Sequence, residues 1–279
     1  MLSYRHGFHA GNHADVLKHA TFVFVADYLQ QKPSPLLFLD THAGAGQYDL
    51  DAPEARKTGE FQQGISLIYG DRAEAPTLLR HFLGMVGDVN AGGPLDTYPG
   101  SPQLAARLRR QQDRVLLHEL HSTDYGRLES LASAQEKVHA EKADGLQGLI
   151  ARVPPPEKRG LILIDPSYEM KTDYAIVTAA LARAWKKFPT GVYILWYPVI
   201  DRSRVHAMEV ALRAARLRSV FRLELCMTGD TAERGMTGSG LFVVNPPYVL
   251  PDAAREGLPW LAARLGAEGP WTADWLIPE

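Results

Sequence analysis

Leu36-Leu37-Phe38-Leu39-Asp40-Thr41-His42-Ala43-Gly44-Ala45-Gly46 runs four apolar residues into an acid and then into a Gly-x-Gly turn. Four apolar residues in a row suit a strand buried on both faces. Glycines straight after such a strand let backbone approach a ligand closely, as at the first crossover of a doubly wound sheet. The third glycine position of Gly-x-Gly-x-x-Gly is Asp49, and no Gly-Lys-Ser/Thr phosphate loop occurs in the chain. A nicotinamide or nucleoside-triphosphate reading is therefore weakened.

A second apolar run, Leu161-Ile162-Leu163-Ile164, ends in Asp165-Pro166-Ser167-Tyr168. Proline fixes its own φ, has no N–H and pushes the preceding residue towards extended geometry, so Asp165 and the Pro166 carbonyl are expected to project beyond the sheet edge. Two acceptors and one flat ring suit an exocyclic amine. The acceptors take its two hydrogens, and Tyr168 stacks on the attached base. Asp165, Pro166 and Tyr168 are thus the candidate catalytic residues. An ordinary strand exit with an Asp turn is the competing reading of the segment by itself.

The surrounding pattern favours the site. Strands are expected over residues 114–120, ending in Glu119, and over 137–142, followed by Ala143-Asp144-Gly145. In a parallel sheet the carboxyl ends share one edge, so Asp40, Glu119, Asp144 and Asp165 are expected around a single crevice. A further strand over 191–197 and a late pair over 221–227 and 240–245 bring the total to seven. The fold class that follows is α/β: a doubly wound, mostly parallel, seven-stranded Rossmann-like sheet. Residues 228–239, between the late pair, carry glycines suited to a mobile loop.

At the N-terminus, residues 3–11 look irregular, and Asn12 is placed to cap a helix reaching about Gln30. That helix carries Lys18 and His19 towards whatever the glycine turn binds. His9, His13 and His19 raise the question of a metal, but no acid or cysteine completes a ligand set, and none is assigned. Residues 49–93 contain helix-like pieces among Gly, Pro and acids and read as a small helical insertion that serves substrate; residues 1–48 and 94–279 form the main domain, with 1–31 its tail and first helix. Tyr98-Pro99-Gly100-Ser101-Pro102 is a tight loop in which Ser101 is expected to cap the next helix and present a hydroxyl to a ligand.

The 279 residues, 46% hydrophobic and 22% charged, suit an ordinary globular protein. Cys226 is the only cysteine, which excludes an internal disulfide and a multi-cysteine zinc site and fits the cytoplasm. No run approaches a membrane span, and Met1 to Ala10 is polar where a signal peptide would be apolar. With a net charge of −2, any nucleic acid must be held by a local patch. Arg202, Arg204, Arg213, Arg216, Arg218 and Arg222, following Trp196 and Tyr197, are candidates for an RNA track, although helix arginines also commonly form a solvated face.

The Asp40–Gly46 segment is similar to the cofactor motif of S-adenosylmethionine-dependent amino-methyltransferases, and Asp165-Pro166-Ser167-Tyr168 resembles their Asp/Asn-Pro-Pro-Tyr/Phe motif. Leu2-Ser3-Tyr4-Arg5-His6, the run from Phe8 to His19, Tyr98-Pro99-Gly100-Ser101-Pro102 and the run from Arg159 to Pro166 resemble the RlmJ family of bacterial 23S rRNA adenine-N6 methyltransferases. The likeness extends to the closing Trp275-Leu276-Ile277-Pro278-Glu279.

The resemblance implies a methyltransferase sheet and direct methyl transfer from S-adenosylmethionine to adenine N6, with S-adenosylhomocysteine as product. By the same resemblance His19, His42, Ser101, Glu119, Asp144, Gly145 and Asp165 contact the cofactor, Glu119 through the ribose hydroxyls and Asp144 through the adenine amine. Lys18 and Gly44 join them from the residue reading, and Tyr4 matches a residue that meets RNA. Ser167 departs from the family's usual second proline. The implied partner is 23S rRNA, protein-free or early in assembly, with no membrane and no obligate protein partner evident. The alternatives are the same chemistry on DNA, a role in using external DNA, or a nucleic-acid binder that keeps only the fold.

The chain holds a second such motif, Asn245-Pro246-Pro247-Tyr248, after Leu241-Phe242-Val243-Val244. The loop before its strand is too short for a helical crossover, so the late pair is expected to be antiparallel. Asn245 is then delivered to the edge away from the crevice, and the prolines merely stop a strand.

Overall fold

The computed structural model describes residues 4–230 and 235–278. Leu2, Ser3 and Glu279 of the quoted motifs, and residues 231–234 of the glycine-bearing loop, lie outside the described residues.

In chain order the elements are α1 (His13–Gln30), β1 (Leu37–Asp40), β2 (Gln47–Asp49), α2 (Pro53–Thr58), α3 (Ile65–Ile68), α4 (Thr77–Val89), β3 (Thr97–Pro99), α5 (Ser101–Leu108), β4 (Arg114–His118) and α6 (Ser122–Ser133). There follow β5 (Val138–Glu141), α7 (Gly145–Arg152), β6 (Gly160–Ile164), α8 (Asp173–Lys187), β7 (Val192–Val199), α9 (Arg202–Ala214), β8 (Val220–Cys226), β9 (Gly238–Val244), α10 (Leu250–Leu265) and β10 (Trp271–Ile277). The main sheet runs β10-β8-β9-β7-β6-β1-β4-β5. Neighbours from β7 to β5 are parallel. β9 is antiparallel to both β7 and β8, and β10 is antiparallel to β8.

All seven expected strands are in this sheet, and β10 joins as an eighth. Its Trp-Thr-Ala-Asp-Trp sequence carries no apolar run because it is an edge strand, exposed at Trp271 and half-buried along most of its length.

The apolar runs are continuous because helices cover both faces. Phe38, Leu161 and Leu163 belong to the layer under α1, α4, α5 and α10, whereas Leu37, Leu39, Ile162 and Ile164 belong to the layer under α7, α8 and α9. α1 starts where Asn12 accepts a hydrogen bond from the Asp15 N–H at 2.9 Å, and it is buried almost all round. Sheet lies on one side of it, α4 and α10 on the other.

Residues 49–93 hold α2, α3, α4 and short 3-10 turns, entered and left through a two-stranded ribbon in which Tyr48 lies opposite Tyr98. α4 buries Leu79, Phe82, Leu83 and Val86. The Ile65 N–H donates to the Gly11 carbonyl at 2.8 Å, tying this segment to the start of α1 beside the crevice.

The expected arginine track is not a single surface. Arg202 pairs with Glu224 and Asp230, Arg204 with Asp201, and Arg222 with Glu209 and Asp274. α9 runs away from the crevice edge, so Arg213, Arg216 and Arg218 fall near the start of β8, at the other end of the sheet.

Candidate active site

The carboxyl ends of β1, β4, β5, β6 and β7 surround a cavity of about 550 Å³, a size that encloses a cofactor-sized ligand. Its β1 wall is backbone. Gly44 has φ 63°, a side chain there would place Cβ 2.3 Å from the Tyr48 hydroxyl, and its N–H donates to Glu119 Oε2 at 2.8 Å. Glu119 Oε1 accepts from the His121 N–H at 2.6 Å. The glutamate is therefore fixed by two amides while it lines the cavity.

Asp144 caps α7, accepting from the Leu146 and Gln147 amides at 2.9 and 3.1 Å. Gly145 follows of necessity: a Cβ there would lie 1.7 Å from the Thr41 carbonyl oxygen. Both residues line the cavity, with the loop after β1 directly against the start of α7.

Asp40 corrects the expectation of four acids around one crevice. Glu119, Asp144 and Asp165 line the cavity; Asp40 lies behind it, buried, accepting from the Ser101 hydroxyl at 2.6 Å and the His42 N–H at 3.1 Å. Burial pushes its carboxyl up to about 6, against the Ser101 hydrogen bond. Ser101 itself is not the helix cap. Gly100 takes the extended cap position, and Ser101 is the first residue of α5, its hydroxyl committed to Asp40 while it lines the cavity.

Two cavity histidines are neutral. Burial lowers His19 to about 3 and His42 to about 4. His19 Nδ1 bonds the Tyr98 hydroxyl at 2.8 Å, and His42 Nδ1 bonds the Thr41 hydroxyl at 2.7 Å. Among the described residues, no three His, Cys, Asp or Glu side chains form a metal-binding group.

Over β6 the site turns ionic. Lys18 Nζ donates to Asp165 Oδ2 at 2.5 Å and to Asp15 Oδ1 at 2.7 Å, and His6 Nε2 meets Asp15 Oδ2 at 2.8 Å. Burial by itself would push the Lys18 ammonium down; the two carboxylates hold it above its ordinary value. Burial raises Asp165, with Lys18 opposing. One oxygen is thereby spent on the lysine, while Oδ1 accepts no hydrogen bond from the described residues. The role of Asp15 was not legible in the sequence, although an acid three residues before Lys18 on a helix is the signal that could have found it.

Tyr4 lines the cavity, its ring stacked on His9 with centroids 5.4 Å apart, its hydroxyl 2.9 Å from His6 Nδ1 and its N–H donating to Glu169 at 2.8 Å. Pro166 and Ser167 line it as well. Tyr168 does not, which corrects the stacking role expected of it. Its backbone is left-handed, φ 52°, which turns the ring into the core against Tyr174 and Trp196. The ring is 7% exposed, and its hydroxyl donates to the Trp196 carbonyl at 2.7 Å.

The chain matches a family model described as ribosomal RNA large subunit methyltransferase D, RlmJ, over residues 33–277. It is 46% identical to ribosomal RNA large subunit methyltransferase J of Escherichia coli (strain K12) and 43% identical to that of Haemophilus influenzae, each alignment covering 100% of both chains. The crystal structure of a Legionella pneumophila protein superposes with a TM-score of 0.88 at 38% identity, over 96% of this chain and 98% of that one. With its glycine-lined strand ends and its Asp165-Pro166-Ser167 turn on one cavity, the chain belongs to the RlmJ family of ribosomal RNA large subunit methyltransferases.

Proposed function

We propose that the protein transfers a methyl group from S-adenosylmethionine to the exocyclic N6 of an adenine in 23S rRNA, acting on protein-free or early-assembly RNA. The observation that carries the reading is the division of one cavity by the sheet. Glycine backbone and fixed acids lie over β1, β4 and β5, and the Asp165-Pro166 acceptors lie next to them over β6.

The residues over β1, β4 and β5 fit the cofactor. Gly145, where a Cβ would meet the Thr41 carbonyl, lets two loops close into one cradle. Glu119 would hold the ribose hydroxyls, Asp144 the adenine amine, and His19, His42, Gly44 and Ser101 the remainder. When bound, S-adenosylmethionine supplies a methyl made electrophilic by its sulfonium. The protein's own share is positioning and charge. Lys18 fixes the Asp165 carboxylate through Oδ2, leaving Oδ1 to accept one amine hydrogen while the Pro166 carbonyl accepts the other. An adenine amine is a poor nucleophile because its lone pair is delocalised into the ring. Two acceptors that favour a pyramidal nitrogen therefore help most in the transition state. As the N–C bond forms at the expense of the methyl–sulfur bond, with a neutral thioether as the leaving group, Asp165 would stabilise the positive charge gathering on the amine and accept its proton. The base must leave its stack to reach this point, and Tyr4 stands at the cavity to meet the RNA.

The test is to incubate the protein with methyl-labelled S-adenosylmethionine and, separately, protein-free 23S rRNA, assembled large subunits and DNA, then digest and identify the labelled nucleoside. N6-methyladenosine from protein-free rRNA is expected. Label confined to DNA, or to another nucleoside, would overturn the reading.

A further inference from the structure

Eight Asp and Glu side chains line the cavity, and among the described residues Lys18 is the one lysine or arginine there. Its ammonium is already committed to Asp15 and Asp165. Such a wall suits a cofactor that carries a sulfonium, but it repels phosphates. At a formal net charge of −2 the chain as a whole does not attract them either. An RNA held here therefore needs cations elsewhere.

The opposite edge of the sheet has them. The starts of β1, β4, β5, β6 and β7 share that edge, and β8 joins them because it and β7 are both antiparallel to β9. Arg216 and Arg218 come before β8, Lys186 lies in the last turn of α8 ahead of β7, and Lys158, Lys32 and Lys137 come before β6, β1 and β5. All six are exposed, and none pairs with an acid among the described residues. Of the acids nearby, Asp113 is buried against Arg110 and Glu157 pairs with Arg114, while Glu136 is exposed. With strands about 4.8 Å apart, the row from β8 across to β5 extends roughly 30 Å.

Ordinary helix chemistry does not explain the row. A cation in the last turn of a helix complements its dipole, which accounts for Lys186. Lys137, Lys158 and Arg216 lie outside the helices, and their backbones are left-handed, with φ of 58°, 55° and 59°. That conformation favours glycine, so each position keeps a cation against its backbone preference. The edge also presents an aromatic ring. The Asn245 N–H donates to the Ser219 carbonyl at 2.8 Å, next to Arg218, and three residues further on Tyr248 is exposed. Cations beside an exposed ring suit an unpaired stretch of nucleic acid, with phosphates on the one and a base on the other.

We infer that this edge is a second RNA-binding face, which holds the phosphate backbone of a 23S rRNA segment separate from the one whose adenine enters the cavity. The inference rests on the methyltransferase reading above and adds where the RNA is gripped. β7, eight residues long, separates the two edges by roughly 25 Å. That is well beyond the screening length of about 10 Å at about 0.1 M salt. Cations on this face therefore act on RNA that touches it, not on RNA held at the mouth alone.

The experiment measures the Kd of protein-free 23S rRNA over a series of salt concentrations, with melting temperature, cofactor affinity by calorimetry and kcat at saturating RNA alongside. Lys137→Gly/Lys158→Gly/Arg216→Gly removes three cations and relieves three left-handed residues. Its slope of log Kd against log salt should fall by about 2, at roughly 0.7–0.9 per lost phosphate contact. Its Kd at about 0.1 M salt should rise roughly tenfold or more, while the melting temperature holds or rises and kcat and cofactor affinity stay parent-like. Glutamine at the same three positions keeps the left-handed side chains and should lose as much affinity. Tyr248→Ala should raise Kd about fivefold with the slope unchanged, as the loss of one stacked base does. A parent-like slope and Kd in both triple variants would overturn the face while leaving the functional reading intact. Weakened binding of DNA with 23S rRNA unaffected would overturn it in favour of a DNA-binding face. A parent protein that methylates no RNA would overturn the functional reading itself.

Discussion

Asp165-Pro166-Ser167-Tyr168 and Asn245-Pro246-Pro247-Tyr248 each follow a fully buried strand, β6 and β9, and each contains one residue with left-handed backbone, Tyr168 at φ 52° and Asn245 at φ 53°. By pattern the second is nearer to the family motif, since it has both prolines. The two strands run in opposite directions, however. β6 is parallel to β1 and delivers Asp165 to the cavity. β9 is antiparallel to β7 with Val244 opposite Tyr193, so Asn245 emerges beside the start of β7. There its side-chain amide donates to the Pro189 and Gly191 carbonyls at 2.8 and 2.7 Å. Tyr248 is 78% exposed and meets Tyr28 edge-on. Similar four-residue segments thus border the cavity at one edge and end a strand at the other.

The largest effect that could break this contrast is at Asp165. Asp165→Ala should lower kcat by about 10³-fold or more while circular dichroism stays parent-like. Residual turnover near the parent's would move the acceptor role elsewhere. Glu119→Ala should come next, weakening cofactor binding by about 1.5–3 kcal/mol through loss of charge-assisted hydrogen bonds, with unchanged calorimetric affinity as the contrary result.

Lys18→Met sharpens the contrast through pH. Burial raises the Asp165 carboxyl and Lys18 opposes it, so removing the ammonium raises it further. On the reading that the ionised form is the acceptor, turnover lost as pH falls should be lost at a higher pH than in the parent. An acid limb that does not move, measured at saturating cofactor and RNA, would show that Lys18 does not act through this carboxylate. Asn245→Ala should be the mildest for activity, with kcat within about tenfold of the parent, a barrier change of roughly 1.4 kcal/mol or less. It should nevertheless cost stability, about 1–3 kcal/mol, from two lost hydrogen bonds and a left-handed alanine. Denaturant titration reads that loss.

The parallel order was legible because buried parallel strands are written as continuous apolar runs, and the antiparallel late pair followed from its short connection. β10 was not legible, since a half-exposed edge strand needs no such run. Strand-end acids predicted the edge that holds the site but not which side chains point into it: Asp40 and Glu119 look alike in sequence, and only the packing of α5 against β1 turns Asp40 towards Ser101. Tyr168 shows the same limit more sharply. A left-handed backbone at a tyrosine leaves no mark on the sequence, yet it decides whether the ring lines the cavity or packs into the core.

The contrast between the two edges can be read most directly by amide hydrogen exchange with and without S-adenosylmethionine. Added protection should concentrate in residues 41–46, 119–121, 144–148 and 167–169, the segments that follow β1, β4, β5 and β6, with residues 245–250 unchanged. Protection at 245–250 with none at 119–121 and 144–148 would place the cofactor at the opposite edge and contradict the account.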